Sequence, residues 1–246
     1  MSNLFRLILT QPMFNALVVL YSYVTFEDLG LAIIILTILI RVILYPLFYK
    51  GLRNQMLMQR VQPEMKELQV KYKNDKEKQA QEMLQLWKKY DVNPFMGFLM
   101  LLVQLPIIFA IFHVFRSGIT NETLGAHLYS FLPAPETVNT ISLGFIDLSQ
   151  PNMIILVLAV VASYLQSKLA IARRKDENRE LTKAEKTSQK MVFIAPAIIA
   201  IFLLNLSAAI GLYILTTSVF SIFQQVIINK KLETERVALN ATTKLA

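Results

Sequence analysis

Cysteine is missing altogether, and histidine nearly so, with His113 and His127 as its two copies in 246 residues. These shortages exclude a disulfide framework, a thiolate metal site and a His-based metal centre, so no metal or other cofactor is expected. Charge is sparse at 17% Asp, Glu, Lys and Arg, and the acids avoid the apolar stretches. None of the segments 29–49, 94–115, 152–172, 191–206 and 208–228 contains Asp or Glu. An acid pair for intramembrane proteolysis is therefore lacking. So are the G-x-x-x-x-G-K-[ST] phosphate loop, the H-E-x-x-H zinc helix and the G-x-S-x-G elbow. The chain does not read as an enzyme.

What is abundant is apolar surface. Hydrophobic residues make up 54% of the chain and its mean hydropathy is +0.47, which points to an integral membrane protein. The five acid-free segments are expected to be transmembrane helices, at about 1.5 Å of rise per residue across roughly 30 Å of hydrocarbon. Segment 191–206 is short, which limits its tilt or thins the bilayer locally. Before the first span, residues 1–28 carry one early arginine, Arg6, the interrupting Pro12 and no small-residue cleavage site, so a signal peptide is not expected. Phe14, Leu17, Val18 and Tyr21 recur at helical spacing and suggest an interfacial amphipathic segment, with a true span as the alternative.

The connecting segments differ in charge. Segment 50–93 holds nine Lys/Arg after Lys50 and carries two apolar stripes, Met65, Leu68 and Tyr72 after Pro63, then Ala80, Met83, Leu84 and Trp87 after Asn74-Asp75. Matching stripes predict an antiparallel helical hairpin rather than a solvated linker. Segment 116–151 has one arginine, three acids and prolines at 133, 135 and 151, and reads as an irregular outer loop. The basic loop 173–190 sets seven Lys/Arg against four acids, and the tail 229–246 four against two. The three basic segments fall on one side of a five-span count. The positive-inside rule then places the N-terminus outside and the C-terminus in the cytoplasm. The expected fold class is all-α: five transmembrane helices around a hydrophilic groove, plus a cytoplasmic helical hairpin.

Arg41 stands inside the first apolar segment. A guanidinium at such a depth costs at least about 2.5–3.5 kcal/mol on insertion scales, so it needs water or partners. Snorkelling toward the basic end at Lys50 is one solution. A polar cavity among the helices is the other, and Thr37 and Tyr45 at the i−4 and i+4 positions favour it. With no intramembrane acid, the groups able to share a cavity wall with Arg41 are neutral: Thr37, Gln104, Ser163, Gln166, Tyr213, Thr216, Thr217 and Ser218. Singly, each is a residue type that commonly bonds a neighbouring helix. Together they suggest a half-hydrated cationic groove that attracts acidic parts of a polypeptide and lowers the cost of moving a polar segment partway across. A channel or small-solute transporter with the same lining is the alternative, and a purely structural assembly factor a third reading. The odd span count and the lack of paired charges argue against a proton-coupled transporter built from inverted repeats.

The first span with its arginine, the basic hairpin, NPFMGFLMLLVQLPIIFAIF from Asn93 and IGLYILTTSVFSIFQQVIINKK from Ile210 together resemble the YidC family of membrane protein insertases, relatives of the mitochondrial and chloroplast insertases. The resemblance covers about Gln11 to Lys231. It implies a bacterial short form, in the cytoplasmic membrane, that acts as insertase and chaperone in protein insertion and transport. The implied groove is open to cytoplasm and lipid, with Arg41, Gln166 and Tyr213 at groove positions. The implied partners are nascent membrane protein substrates and the lipid bilayer, with the ribosome and the Sec translocon as further candidates; nucleic-acid binding is not expected. Two places depart from the family pattern. Leu206-Ser207-Ala208-Ala209-Ile210 stands where Phe-Pro-x-Gly-Leu is common, and Ile214 where an aromatic often follows the tyrosine. The large outer domain of some members is not expected, nor is strong ribosome binding through a short tail.

Overall fold

The computed structural model describes residues 3–117, 127–135, 137–170 and 183–243. Parts of the expected outer loop (118–126 and 136) and of the expected basic loop (173–182) lie outside the described residues. The helices are α1 (Asn3–Phe5), α2 (Gln11–Val19), α3 (Leu29–Ile43), α4 (Tyr45–Lys71), α5 (Lys76–Lys89), α6 (Met96–Ser117), α7 (Met153–Ala170), α8 (Lys183–Leu203) and α9 (Ala208–Thr243). Two π-helical turns, Arg6–Thr10 and Leu20–Val24, flank α2, and one antiparallel ribbon pairs β1 (Ile141–Ser142) with β2 (Ile146–Asp147). The fold is all-α, with a ribbon too short to form a layer. Among the described residues, Ala208–Lys231 is long and apolar enough to cross a bilayer, and Leu29–Ile43 with Tyr45–Met58 is so when taken as one interrupted pair. Met96–Phe112, Met153–Leu169 and Val192–Leu203 are shorter apolar helices.

The described residues divide into two compact units. One comprises those up to Leu44 and those from Gln104 to Phe223; the other comprises Tyr45 to Val103 and the residues from Gln224 onward.

In the first unit the stripe Phe14, Leu17, Val18 and Tyr21 is buried against protein. Asn15 fastens α2 to the segment before β1: its Nδ2 donates to the His127 carbonyl at 2.8 Å and its Oδ1 accepts from the Tyr129 amide at 2.7 Å. The Tyr21 hydroxyl accepts from the Asn139 amide at 2.8 Å. Asp28 caps α3, accepting from the Leu31 amide at 3.0 Å, and the same carboxylate accepts from the Ser142 hydroxyl at 2.6 Å and the Leu143 amide at 2.7 Å. Ala159 of α7, Leu203 of α8 and Ile210 of α9 form a buried cluster against which Phe112 of α6 packs. Lipid tails are as apolar as these side chains, so close packing and interhelical hydrogen bonds must hold such helices together. The first amides of α9 have no partner within their own helix. Those of Ala208 and Ala209 donate instead to the carbonyls of Gln150 at 2.9 Å and Leu148 at 3.1 Å.

In the second unit α4 and α5 form a hairpin around buried Val61, Met83 and Leu86, with Met65, Leu68, Trp87 and Tyr90 packed against them. Asp75 caps α5 by accepting from the Lys78 amide at 3.0 Å. Three local features differ from the sequence reading. The helix breaks at Leu44, two residues before Pro46, and α4 then runs from Tyr45 straight through Pro63 instead of starting there. Proline frees the carbonyl one turn back, and apolar contacts at Val61, Met65 and Leu68 on either side offset that loss. The α5 face is also rotated: Ala80 and Leu84 are exposed, while Leu86 takes the core position. Finally, the break separates Tyr45 from Arg41, so their i, i+4 helical relation does not hold.

Candidate polar site on α3, α6, α7 and α9

Helices α3, α6, α7 and α9 contribute polar side chains to the interior of the first unit. Arg41, in the last turn of α3, is only 7% exposed, so its side chain is packed among protein groups and not spread on a lipid-facing surface. Its charge acts on Tyr213 of α9, itself buried. Gln104 of α6 completes this corner, its Nε2 donating to the Tyr213 hydroxyl at 2.9 Å. Thr217, one turn along α9, lies beside the same hydroxyl, with its own Oγ1 buried and outside hydrogen-bonding geometry. Arg41, Gln104 and Thr217 are thus each related to the Tyr213 hydroxyl.

Ser163 of α7 reaches α9 one residue further on, its Oγ lying 3.0 Å from that of Ser218 in a buried pair. Thr37 and Gln166 contribute differently. Thr37 is buried one turn before Arg41, but its hydroxyl donates at 2.7 Å to the Ile33 carbonyl of its own helix. Gln166 is half-buried on α7 and joins neither the Tyr213 corner nor the serine pair. Thr216 likewise bonds within α9, to the Leu212 carbonyl at 2.8 Å.

Two parts of this arrangement were not singled out from sequence. Ser221 is buried on α9 two turns after Tyr213, extending the polar stripe through Thr217 at helical spacing. Its signal was the i+4 repeat itself. Asp28 with Ser142 is the other, and no local pattern announces a pairing across 114 residues.

Chemically, this site offers one fixed cation, a phenol, an amide and several hydroxyls in a low-dielectric surround. It has no nucleophile with an adjacent base. Among the described residues no group of three or more His, Asp or Glu side chains could hold a metal. Such a surface binds and solvates; it does not make bonds.

The profile of the 60Kd inner membrane protein family matches residues 19–235, a stretch that contains every one of these side chains. The chain belongs to that family. Similar members are called membrane protein insertase YidC. That of Streptomyces avermitilis is 31% identical over 214 residues, covering 80% of this chain and 50% of the relative. That of Helicobacter pylori strain 26695 is 32% identical over 216 residues, covering 88% and 36%. That of Oceanobacillus iheyensis is 32% identical over 208 residues, covering 83% and 75%. The chain thus spans half or less of the first two family members and three quarters of the third. The family match takes in Arg41 and Tyr213 alike, so the polar corner lies inside the shared region.

Proposed function

We propose that the chain is a membrane protein insertase and chaperone of the bacterial cytoplasmic membrane, working without bond chemistry. Segments 29–49, 94–115, 152–172, 191–206 and 208–228 are the five spans, with the N-terminus outside, the C-terminus in the cytoplasm and residues 1–28 along the interface. The observation that carries this reading is the burial of Arg41 inside an otherwise apolar helix set, with its charge acting on Tyr213, which is hydrogen-bonded to Gln104. A charge buried among apolar helices is costly, and binding a polar ligand is a function that offsets such a cost. An acidic or polar segment of a nascent protein would be drawn to it and exchange bulk water for the guanidinium, phenol and hydroxyl groups. Its crossing barrier falls while its apolar helix leaves sideways into lipid. The groove would be lined by Arg41, Thr37, Gln104, Ser163, Gln166, Tyr213 and Thr217, and the hairpin 50–93 would meet the substrate first. The ribosome and the Sec translocon are candidate partners in delivery.

The test is insertion into liposomes containing only this protein. Arg41→Ala should impair single-span substrates with acidic translocated tails more than neutral-tailed ones, and Arg41→Lys should largely restore them, because charge matters here more than fork geometry. Equal insertion of both substrate classes by Arg41→Ala would refute the role of the charge. Ion or solute flux through the same liposomes without substrate would favour the channel reading.

A further inference from the structure

The hairpin and the start of α6 enclose a cavity of about 570 Å³ that is not part of the proposed groove. Its wall carries Lys50 and Arg53 from α4 and Lys88 from α5, against one carboxylate, Asp91. Among the described residues none of these cations forms an ion pair; the nearby pair is Lys89 with Glu64, at 3.6 Å. Trp87 also lines the cavity, and its Nε1–H has no acceptor within the protein.

The frame around the cavity is fixed. Asn54 of α4 and Asn93 exchange two hydrogen bonds, Nδ2 to the Asn93 carbonyl at 2.8 Å and the Asn93 amide to Oδ1 at 2.7 Å. At Gly51 a Cβ would lie 2.6 Å from Met100 Sδ, so the Met100 side chain of α6 packs directly onto α4 there. The Val92 amide donates to the Trp87 carbonyl at 3.0 Å, closing the turn that carries Asp91 at φ +50°. The cations are thus presented on a braced wall and not on a loose tail. Apolar groups border them: Phe95 is 72% exposed and Leu84 is 53% exposed.

Cations beside unpartnered apolar side chains fit an amphiphile with an anionic head. The topology proposed above adds the depth: Lys50 follows the first apolar segment and Pro94 opens the second, so this rim lies among headgroups, where the abundant anion is a phosphodiester. We propose that the cavity binds the phosphate of an anionic phospholipid, with Arg53, Lys50 and Lys88 on its oxygens and the upper acyl chain against Leu84 and Phe95. Arg53 supplies the planar fork suited to phosphate and the two lysines supply point charges. Bound lipid would anchor the base of the hairpin to the anionic leaflet.

Trp87 is the one tryptophan in the sequence, so its fluorescence reports on this cavity directly. The full chain in zwitterionic micelles should show a saturable emission change with dihexanoyl phosphatidylglycerol, and dihexanoyl phosphatidylcholine should need at least about tenfold more lipid. The double variant Arg53→Gln, Lys88→Gln should raise half-saturation by about tenfold or more, since charge-assisted hydrogen bonds are lost. Lys89→Gln, outside the cavity, should not. Circular dichroism confirms that the variants keep their helices, and Lys50→Gln alone serves should the double variant lose them. Equal response to the two lipids, or insensitivity to both Arg53→Gln, Lys88→Gln and Lys50→Gln, would overturn the site. Saturation by glycerol 3-phosphate or inorganic phosphate at the lipid's concentrations would assign it to a soluble phosphate and overturn the lipid. Tighter saturation by an acidic peptide would make it a substrate contact instead. None of these readouts needs insertion activity, so the site and the proposed function fail separately.

Discussion

Replacing Asp28 tests how the entry to α3 is held. Its carboxylate does three jobs: it caps the helix through the Leu31 amide at 3.0 Å and accepts from the Ser142 hydroxyl at 2.6 Å and the Leu143 amide at 2.7 Å. Losing an N-cap costs about 1 kcal/mol. The two further bonds go to a charged acceptor, worth about 1.5–3 kcal/mol each when buried, but Asp28 is partly exposed and about half of that survives screening. Asp28→Ala should therefore destabilise the protein by about 2.5–4 kcal/mol in unfolding from detergent micelles. Asp28→Asn keeps Oδ1 for the cap and for Ser142 but sets an NH2 against the Leu143 amide, so it should cost about 1–2 kcal/mol. Partial burial pushes the Asp28 carboxyl up, but the Ser142 hydroxyl and the Leu143, Leu31 and Gly30 amides outweigh it and hold the group below the usual carboxylate value of 3.8. Its folded-state pKa being depressed, the charge contributes in full above the unfolded pKa, and that contribution fades as pH falls through the folded one. The gap between wild type and Asp28→Asn should thus be constant above about pH 5 and close only below about pH 4. An independent lesion of the same lock is Gly30→Ala, whose Cβ would fall 2.1 Å from Ser142 Oγ. Because both changes break the Ser142 contact, their combined cost should be less than the sum. Equal stability of Asp28→Ala and wild type at pH 7, or full additivity with Gly30→Ala, would refute this account.

Further outcomes follow from the same structure. A double-mutant cycle with Gln104→Ala and Tyr213→Phe, read by unfolding in micelles, should give a coupling of about 0.6 kcal/mol and no more than about 1.7, the range for hydrogen bonds between membrane helices; zero coupling would mean the 2.9 Å bond is not formed. Leu86→Ala should loosen the α4–α5 hairpin by about 2–4 kcal/mol, seen as faster amide exchange across both helices, because it empties a buried position next to Val61 and Met83. Asn15→Ala should free the chain near Tyr129 for proteolysis, since one side chain supplies both the donor and the acceptor that fasten it.

Sequence legibility followed the range of each interaction. Apolar runs, the lone arginine within one of them and the stripes Met65–Leu68 and Met83–Trp87 depend on neighbours one or two turns away. They could be read directly. Leu86 in place of Leu84 at the hairpin core was missed because helical periodicity tolerates a rotation of one face, and only the partner helix α4 decides it. The continuity of α4 through Pro63 was missed for a related reason: proline marks a helix start only where packing on both sides does not outweigh its lost bond.

The sequence by itself determined that this is a helical membrane protein of the 60Kd inner membrane protein family, with an arginine inside its first apolar segment and segments 50–93, 173–190 and 229–246 rich in Lys and Arg. Those features are sums over many residues, or the mere presence of a charge where water is scarce, and no particular packing can undo them. Which neutral groups pair with one another was decided only by the tertiary structure: Gln104 pairs with Tyr213 across 109 residues, and Ser163 with Ser218 across 55. Thr37, as plausible a partner by sequence, turns to its own backbone. A membrane helix can satisfy a hydroxyl internally or across an interface at nearly equal cost, so the choice falls to how the helices cross.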